Sequence, residues 1–347
     1  MTVNPVPSAA FASDNAAPAH PAALDALVAA NSGNVAPYGE DLLTEQTADA
    51  VRNAFESPGA EVLFALTGTA ANIIALTGAV RPWELIICSD TAHIIVDEAG
   101  GVGRVSGATL ATLPSRDGLL DPGQLDALIG GRGDVHRSQP RIVSITQCTE
   151  RGRVWAPDAI AQFVDHAHRL GLLVHVDGAR IGNAAAALNV SPLAAVGDAD
   201  IVTVGGTKNG MLFGDAILVR RPEHFSGVKF VQKQIGHLPS KHRYVSAQFD
   251  ALLRDDLWLR LAAHANDMAT RLSAGLVALG HRLSCPTDAN EVFVDLSDDV
   301  HAQLSRRYLL ERPVTSAPTV RFVCAWSTTV GEVDAALATL AALPSEQ

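Results

Sequence analysis

The chain has 347 residues, of which 48% are hydrophobic and 18% charged, and a formal net charge of -11. That length can bury a large core, and the composition is that of a folded globular protein, which excludes a disordered or low-complexity chain. The acidic balance excludes a general nucleic-acid binder, which needs a basic face, but leaves room for a small anionic ligand held by local basic groups. In chain order, residues 61–66 read as a strand, followed by a Gly-Thr turn and an apolar helix over 70–80. Residues 85–88 and 108–113 read as further strands, and Asp121-Pro122 predicts a helix start with Leu125 and Leu128 on one face. A Gly-rich polar loop over 130–140 leads into a strand at 141–146. Pro157 opens a helix in which Ile160, Phe163, Val164 and Ala167 recur at helical spacing, and Gly171 closes it. Residues 172–177 form a nearly continuous apolar run, as a parallel strand covered on both faces requires. Ser191-Pro192 starts a short helix, and 199–204 is another buried strand.

This βαβ series predicts an α/β fold with a mostly parallel, doubly wound sheet. Past Val245 the pattern changes. Helical periodicity runs from Phe249 through Trp258, Leu261, Met268, Leu272 and Leu276 to Gly280, then short strands follow at 291–295 and 319–324, with a last helix from Gly331. The organisation expected is an N-terminal segment (1–20), a large domain (21–245) and a smaller α+β domain (246–347). Cys88, Cys148, Cys285 and Cys324 are scattered with no CxxC pair, which points to free thiols in a reducing compartment and to no zinc site. No apolar run reaches the ~20 residues of a membrane span. The start of the chain, with Asp14 and no basic stretch before an apolar core, does not read as a signal peptide, so the cytoplasm is expected.

Open α/β sheets bind ligands at the C-terminal ends of their strands, and three motifs fall there. Leu66-Thr67-Gly68-Thr69-Ala70-Ala71-Asn72 is a strand, a small-residue turn and a helix start. Free N–H groups, the Thr69 hydroxyl and the helix dipole would form a phosphate cup. Neither a P-loop lysine nor a G-x-G-x-x-G accompanies it. Val176-Asp177-Gly178-Ala179-Arg180 ends a buried strand in a carboxylate, which needs a cationic partner: a protonated pyridine nitrogen, or Arg180. Gly205-Gly206-Thr207-Lys208-Asn209-Gly210 sets a lone lysine among glycines, suited to a nucleophilic amine whose pKa burial would lower. Taken singly, each has a structural alternative: a plain turn, an internal ion pair, a solvated lysine. Taken in order, cup, aspartate and then lysine on the next strand, they point to pyridoxal 5'-phosphate (PLP) carried on Lys208.

Further short motifs join these three. They are Ser13-Asp14-Asn15, Pro37-Tyr38-Gly39-Glu40-Asp41, Gly236-His237-Leu238-Pro239-Ser240-Lys241 and Val320-Arg321-Phe322-Val323. From about Phe11 to the final helix the chain resembles the low-specificity L-threonine aldolases of the β-eliminating lyase group, above all their phenylserine-aldolase-like branch. The resemblance implies the aspartate-aminotransferase type of PLP fold (fold type I), a cytoplasmic homo-oligomer arranged as a dimer of dimers, and active sites shared between subunits. It implies that Gly68, Thr69 and Asn72 hold the cofactor phosphate, that Lys208, preceded by Thr207, is the Schiff-base lysine, and that Asp177 partners the pyridinium nitrogen. His93 corresponds to the histidine that stacks on the ring. Arg180 and Arg321 correspond to arginines at the substrate carboxylate, where a planar guanidinium suits bidentate binding. Ser13, Tyr38 and Lys241 correspond to further positions lining the site, with Lys241 reaching a neighbouring subunit's phosphate.

One departure is clear. Many relatives carry Glu-Asn-Thr-His near the centre, whereas this chain has Gln147-Cys148-Thr149-Glu150. The second histidine is missing, and Glu150 becomes a candidate for its role if burial raises its pKa. The implied reaction is cleavage of the Cα–Cβ bond of L-β-hydroxy-α-amino acids to glycine and an aldehyde, with no metal, nucleic acid or membrane involved. Another PLP enzyme of the same fold, an aminotransferase or a β-eliminating lyase, is the alternative within the class. A catalytically silent scaffold is the alternative outside it, and intact Lys208, Asp177 and Arg321 speak against that one.

Overall fold

Three apolar runs, each too short for a helix and dominated by Val, Ile and Leu, become the central strands: β4 (Gln139–Thr146), β5 (Leu173–Gly178) and β6 (Ile201–Gly205). They belong to a seven-stranded sheet that also contains β1 (Glu61–Ala65), β2 (Glu84–Ser89), β3 (Thr109–Leu113) and β7 (Asp215–Val219). The strand order is β1-β7-β6-β5-β4-β2-β3. The structure, a computed structural model, describes residues 6–313 and 318–343.

Neighbours from β3 to β6 run parallel, and β7 lies antiparallel to both β6 and β1. β7 is the strand that the sequence reading omits. Its five residues are all buried, but it follows β6 after a connection too short for a parallel crossover, so it returns alongside as an antiparallel partner. The segment carrying Lys208 is therefore the turn of a β6–β7 hairpin. Register then sets the site. Thr146, Asp177 and Thr203 face one another across the ends of β4, β5 and β6, and Asp215 lies opposite both Gly205 and Ala65. Residues paired in this way project from the same face of the sheet.

Both faces of the sheet are covered by separate buried clusters, as a doubly wound fold requires. The helix Gly68–Ala79 packs on one face through Ile74, Ala75 and Leu76, and the helix Pro157–Arg169 on the other through Ile160, Phe163 and Val164. The single helical run expected from 249 to 280 is two helices, Arg243–Leu253 and Leu257–Ala278. Asp255 and Asp256 between them take left-handed backbone angles, φ 53° and 52°. Aspartate tolerates that conformation, and hydrophobic spacing does not register it because apolar residues on both sides of the break face the core.

A third core joins the two ends of the chain. The antiparallel pair β8 (Glu291–Asp295) and β9 (Thr319–Val323) packs with the helices Leu257–Ala278 and Val330–Ala341 around Phe11, which is completely buried. Phe11 O accepts from Val323 N at 3.0 Å, Pro18 O from Trp326 Nε1 at 3.0 Å, and Gly210 O from His20 N at 2.8 Å. The segment from Phe11 to His20 thus crosses from the small sheet to the end of the Lys208 turn, passing over the C-terminal ends of the main strands.

Candidate active site

Asp177 is the last but one residue of β5 and is 4% exposed. Its Oδ2 accepts from Asn72 Nδ2 at 2.7 Å and its Oδ1 from Ala179 N at 3.0 Å. Burial alone would raise the carboxyl, but the neighbouring His175, the Asn72 amide, the charge of Lys208 and the Ala179 N–H outweigh it and hold Asp177 below its ordinary value. His175, two residues back on the same strand, is fully buried with Nδ1 2.8 Å from Ser144 Oγ, and burial pushes it down to about 4 against the pull of Asp177. At neutral pH the pair is therefore an anionic aspartate above a neutral imidazole.

The Lys208 turn is held by a second buried acid. Asp215 Oδ1 accepts from Gly206 N at 2.8 Å and Thr207 N at 3.3 Å, and Thr207 Oγ1 accepts from Gly214 N at 3.0 Å. Burial raises Asp215 despite those two backbone donors and the charge of Lys208. Lys208 itself is half-buried and has no hydrogen-bond or ion-pair partner among the described residues. Opposite it begins the helix Gly68–Ala79, capped by Thr67 Oγ1 on Ala70 N at 3.2 Å. The N–H groups of Gly68 and Thr69, in the first turn, have no intrahelical acceptor. A Cβ at Gly68 would stand 2.7 Å from Asp215 Oδ2, so only glycine lets the helix start this close to the hairpin.

Beyond the end of β2, His93 opens the one-turn helix His93–Val96. Its backbone N–H donates to Glu150 Oε1 at 2.8 Å, and Thr146 Oγ1 donates to the same oxygen at 2.7 Å. Burial lifts Glu150 to about 7 against these hydrogen bonds, and its Oε2 is buried with no partner among the described residues. The His93 ring places Nδ1 2.8 Å from Glu98 Oε1. That hydrogen bond, with the charge of Asp177, raises the imidazole pKa over the opposing effects of burial and Lys208.

Arg180 is nearly buried and meets Asp14 through Nε at 2.7 Å and Nη2 at 3.1 Å, with Nη1 3.3 Å from Glu291 Oε2. Burial disfavours its charge, yet Asp14 and Glu291 together raise its pKa. Arg321 pairs with Glu311 at 2.5 Å and lies 3.7 Å from Glu291 Oε1. Glu291, 1% exposed, therefore stands between the two arginines.

A cleft of about 340 Å³ brings these groups together. Gly68, Thr69, Asn72, His93, Glu150, Asp177, Arg180, Thr207 and Lys208 all line it. Asn72 does so with its amide committed to Asp177 and Glu98, one turn below the helix N-terminus where the phosphate cup was expected. Ser13, Tyr38, Lys241 and Arg321 do not line it. Ser13 caps the short turn Asp14–Ala16, Tyr38 is exposed with its ring 4.5 Å from Lys233 Nζ, and Lys241 is exposed. Sequence reasoning missed Asp14, Asn15, Glu98, Asp215 and Glu291. Asp215 and Glu291 carried the signal that found Asp177, an acid next to a buried apolar run. Asp14 and Asn15 lay in the motif that named Ser13. Glu98 had no local signal.

The profile of the beta-eliminating lyase family matches residues 10–299. The chain belongs to that family. It is 39% identical over 322 residues to the low specificity L-threonine aldolase of Pseudomonas sp. (strain NCIMB 10558), covering 92% of this chain and 93% of the relative. It is also 39% identical over 328 residues to the low specificity L-threonine aldolase of Pseudomonas aeruginosa, covering 93% and 94%. Among solved structures, a Leishmania major threonine aldolase superposes with a TM-score of 0.90 at 29% identity, covering 96% of this chain and 98% of that one. The fold expected from the resemblance, a mostly parallel sheet between helices with a small antiparallel C-terminal sheet, is the fold of this family member.

Proposed function

We propose that this protein is a PLP-dependent aldolase that cleaves the Cα–Cβ bond of L-β-hydroxy-α-amino acids to glycine and an aldehyde. The observation that carries this reading is the meeting, in one cleft, of an unpartnered lysine, a buried anionic aspartate and a helix N-terminus with free N–H groups. These residues fit PLP. Asp177 offers a buried anion to a protonated ring nitrogen, Lys208 Nζ offers an amine to the aldehyde carbon, and Gly68 and Thr69 offer N–H donors to the phosphate, where a helix N-terminus favours an anion. His93, at the cleft wall, would be the residue to stack on the ring. Bound there, PLP supplies an electron sink for the pair left on Cα when the bond to Cβ breaks.

The protein's own groups do the rest. Asp14 fixes the Arg180 guanidinium through Nε and Nη2, and Glu291 stands 3.3 Å from Nη1, so the N–H groups not turned toward these two carboxylates are the ones offered to the substrate carboxylate. Arg321, outside the cleft, shares Glu291 with Arg180 and acts on the site through that carboxylate. Holding the carboxylate would fix the orientation of the bonds at Cα. His93 Nε2 takes the β-hydroxyl proton as that oxygen becomes the aldehyde carbonyl, and a proton returned to Cα completes glycine. Glu150, in the position of the missing second histidine, holds the His93 backbone and carries a carboxyl poised near neutrality.

Two finer points belong to the same reading. Tyr38 and Lys241 serve a neighbouring subunit's site in a homotetramer, and the exposed apolar residues Leu24, Val28, Leu42, Leu212 and Phe230 are available for subunit contacts. Buried free cysteines fit the cytoplasm, with residues 246–347 acting as a smaller domain. The substrate range includes threonine, allo-threonine and phenylserine, with phenylserine cleaved at least as well as threonine because an aryl aldehyde is a conjugated product. The test measures aldehyde and glycine together from L-threo-phenylserine, L-threonine and L-allo-threonine at equal PLP saturation. Threonine preferred tenfold would remove the phenylserine-type assignment, and no aldehyde from any substrate would remove the aldolase reading.

A further inference from the structure

Glu98 stands outside every motif that pointed to the cleft, and its side chain is completely buried. Its Oε1 meets Asn72 Nδ2 at 2.9 Å and His93 Nδ1 at 2.8 Å. The orientation of the Asn72 amide is dictated: its Oδ1 accepts from Thr203 Oγ1 at 3.2 Å, and its NH₂ faces two carboxylates, Glu98 and Asp177. Asp177, held below its ordinary value, only accepts, so the nitrogen must be on its side. A continuous line of hydrogen bonds therefore runs from His93 through Glu98 and Asn72 to Asp177. The other ring nitrogen, Nε2, has no hydrogen-bond partner among the described residues, and the His93 side chain is 37% exposed at the cleft wall.

We propose that Glu98 is the positioning residue of His93, holding the imidazole proton on Nδ1 so that Nε2 stays a bare acceptor facing the cleft. A carboxylate on one nitrogen of a histidine ring fixes which nitrogen carries the proton and steadies the imidazolium formed when the other accepts one. In the proposed reaction the substrate O–H bond breaks, its proton forms a bond to Nε2, the oxygen's electron pair becomes the second bond of the aldehyde carbonyl, and the Cα–Cβ bond breaks with its pair left on Cα. Glu98 then faces a full positive charge. Because Asn72 joins Glu98 to Asp177, the ring of His93 and the Asp177 carboxylate keep one relative orientation. Three titratable groups act on the imidazole, Glu98, Asp177 from β5 and Lys208 from the β6–β7 turn, while Glu150 from the loop after β4 holds the His93 backbone N–H. The first two favour the imidazolium and Lys208 opposes it.

This role depends on the aldolase reading for its chemistry, but its test has a readout independent of turnover. Protein labelled with ¹⁵N in the histidine rings, with His93→Asn used to assign the signal, reports tautomer and pKa in the PLP-free and PLP-loaded forms. The expected result is the Nδ1–H tautomer in the wild type. Glu98→Gln keeps that tautomer, because one amide oxygen still accepts from Asn72 and His93, and lowers the His93 pKa by about one unit. The acid limb of kcat/KM moves to lower pH by the same amount. Glu98→Ala loses the tautomer preference and about ten- to a hundredfold in kcat, with KM little changed. A wild-type Nε2–H tautomer, or a His93 signal that neither variant moves, overturns the proposal even if both variants lose activity. A wild type that releases no aldehyde removes the aldolase reading, while the ring signals still decide the role of Glu98.

Discussion

Replacing Asp177 with asparagine keeps the side chain's shape and removes its charge. In the wild-type cleft both carboxylate oxygens face N–H groups, Asn72 Nδ2 at 2.7 Å and Ala179 N at 3.0 Å. Asparagine must turn its own NH₂ toward one of them, setting a buried donor against a donor, which costs about 1–3 kcal/mol of stability. The larger effect falls on catalysis. A neutral amide does not hold a proton on the cofactor's ring nitrogen, so stabilisation of the charge developing at Cα is lost. Preorganised electrostatics of this kind are worth on the order of 10²–10³ in kcat, about 2.7–4 kcal/mol. The phosphate donors at Gly68 and Thr69 sit on a different element, the helix Gly68–Ala79, and are untouched. PLP affinity therefore falls far less than kcat. The assay is aldehyde release at saturating PLP, paired with a PLP titration followed by visible absorbance and a denaturation curve. A kcat near the wild-type value at saturating cofactor would refute the reasoning and leave Asp177 as a structural partner of Asn72.

Lys208→Ala should abolish the visible absorption band of the cofactor-linked protein while leaving far-ultraviolet circular dichroism unchanged, since the ammonium has no hydrogen-bond partner among the described residues; a band that survives dialysis contradicts the assignment. Phe11→Ala empties a completely buried site between the chain's two ends and should cost about 3–5 kcal/mol in denaturant unfolding. A loss below about 1 kcal/mol would mean that the N-terminal segment is not anchored through this ring. Glu150 has a folded-state pKa of about 7, above its ordinary 4.5, because burial disfavours the carboxylate. The unfolded chain therefore ionises first, and the stability that the neutral carboxyl provides is complete below pH 4.5 and lost as pH rises through about 7. Glu150→Gln should accordingly stabilise the protein at pH 8 by about 1–3 kcal/mol relative to its effect at pH 4. Equal effects at both pH values would show that Glu150 titrates normally.

Much of the fold was legible in the residues because its causes are local. Apolar runs at 142–145, 173–176 and 201–204 are strands for want of a polar face, and Asp177 and Lys208 stand out because each interrupts such a run at its end. The order of the strand-end motifs along the chain was also enough to anticipate which of them share a cleft. β7 escaped notice because a five-residue strand gains its meaning from the antiparallel neighbours it slots between, and the break at Asp255 and Asp256 escaped because a left-handed turn leaves hydrophobic spacing intact. The pairing of the polar groups was decided only in three dimensions. Arg180 finds Asp14 from the far end of the chain, Glu291 comes between Arg180 and Arg321, and the Asn72 amide goes to Glu98 and Asp177. Once a donor loses water it must take the acceptor that folding has brought within about 3 Å, and distance along the chain says nothing about which one that is.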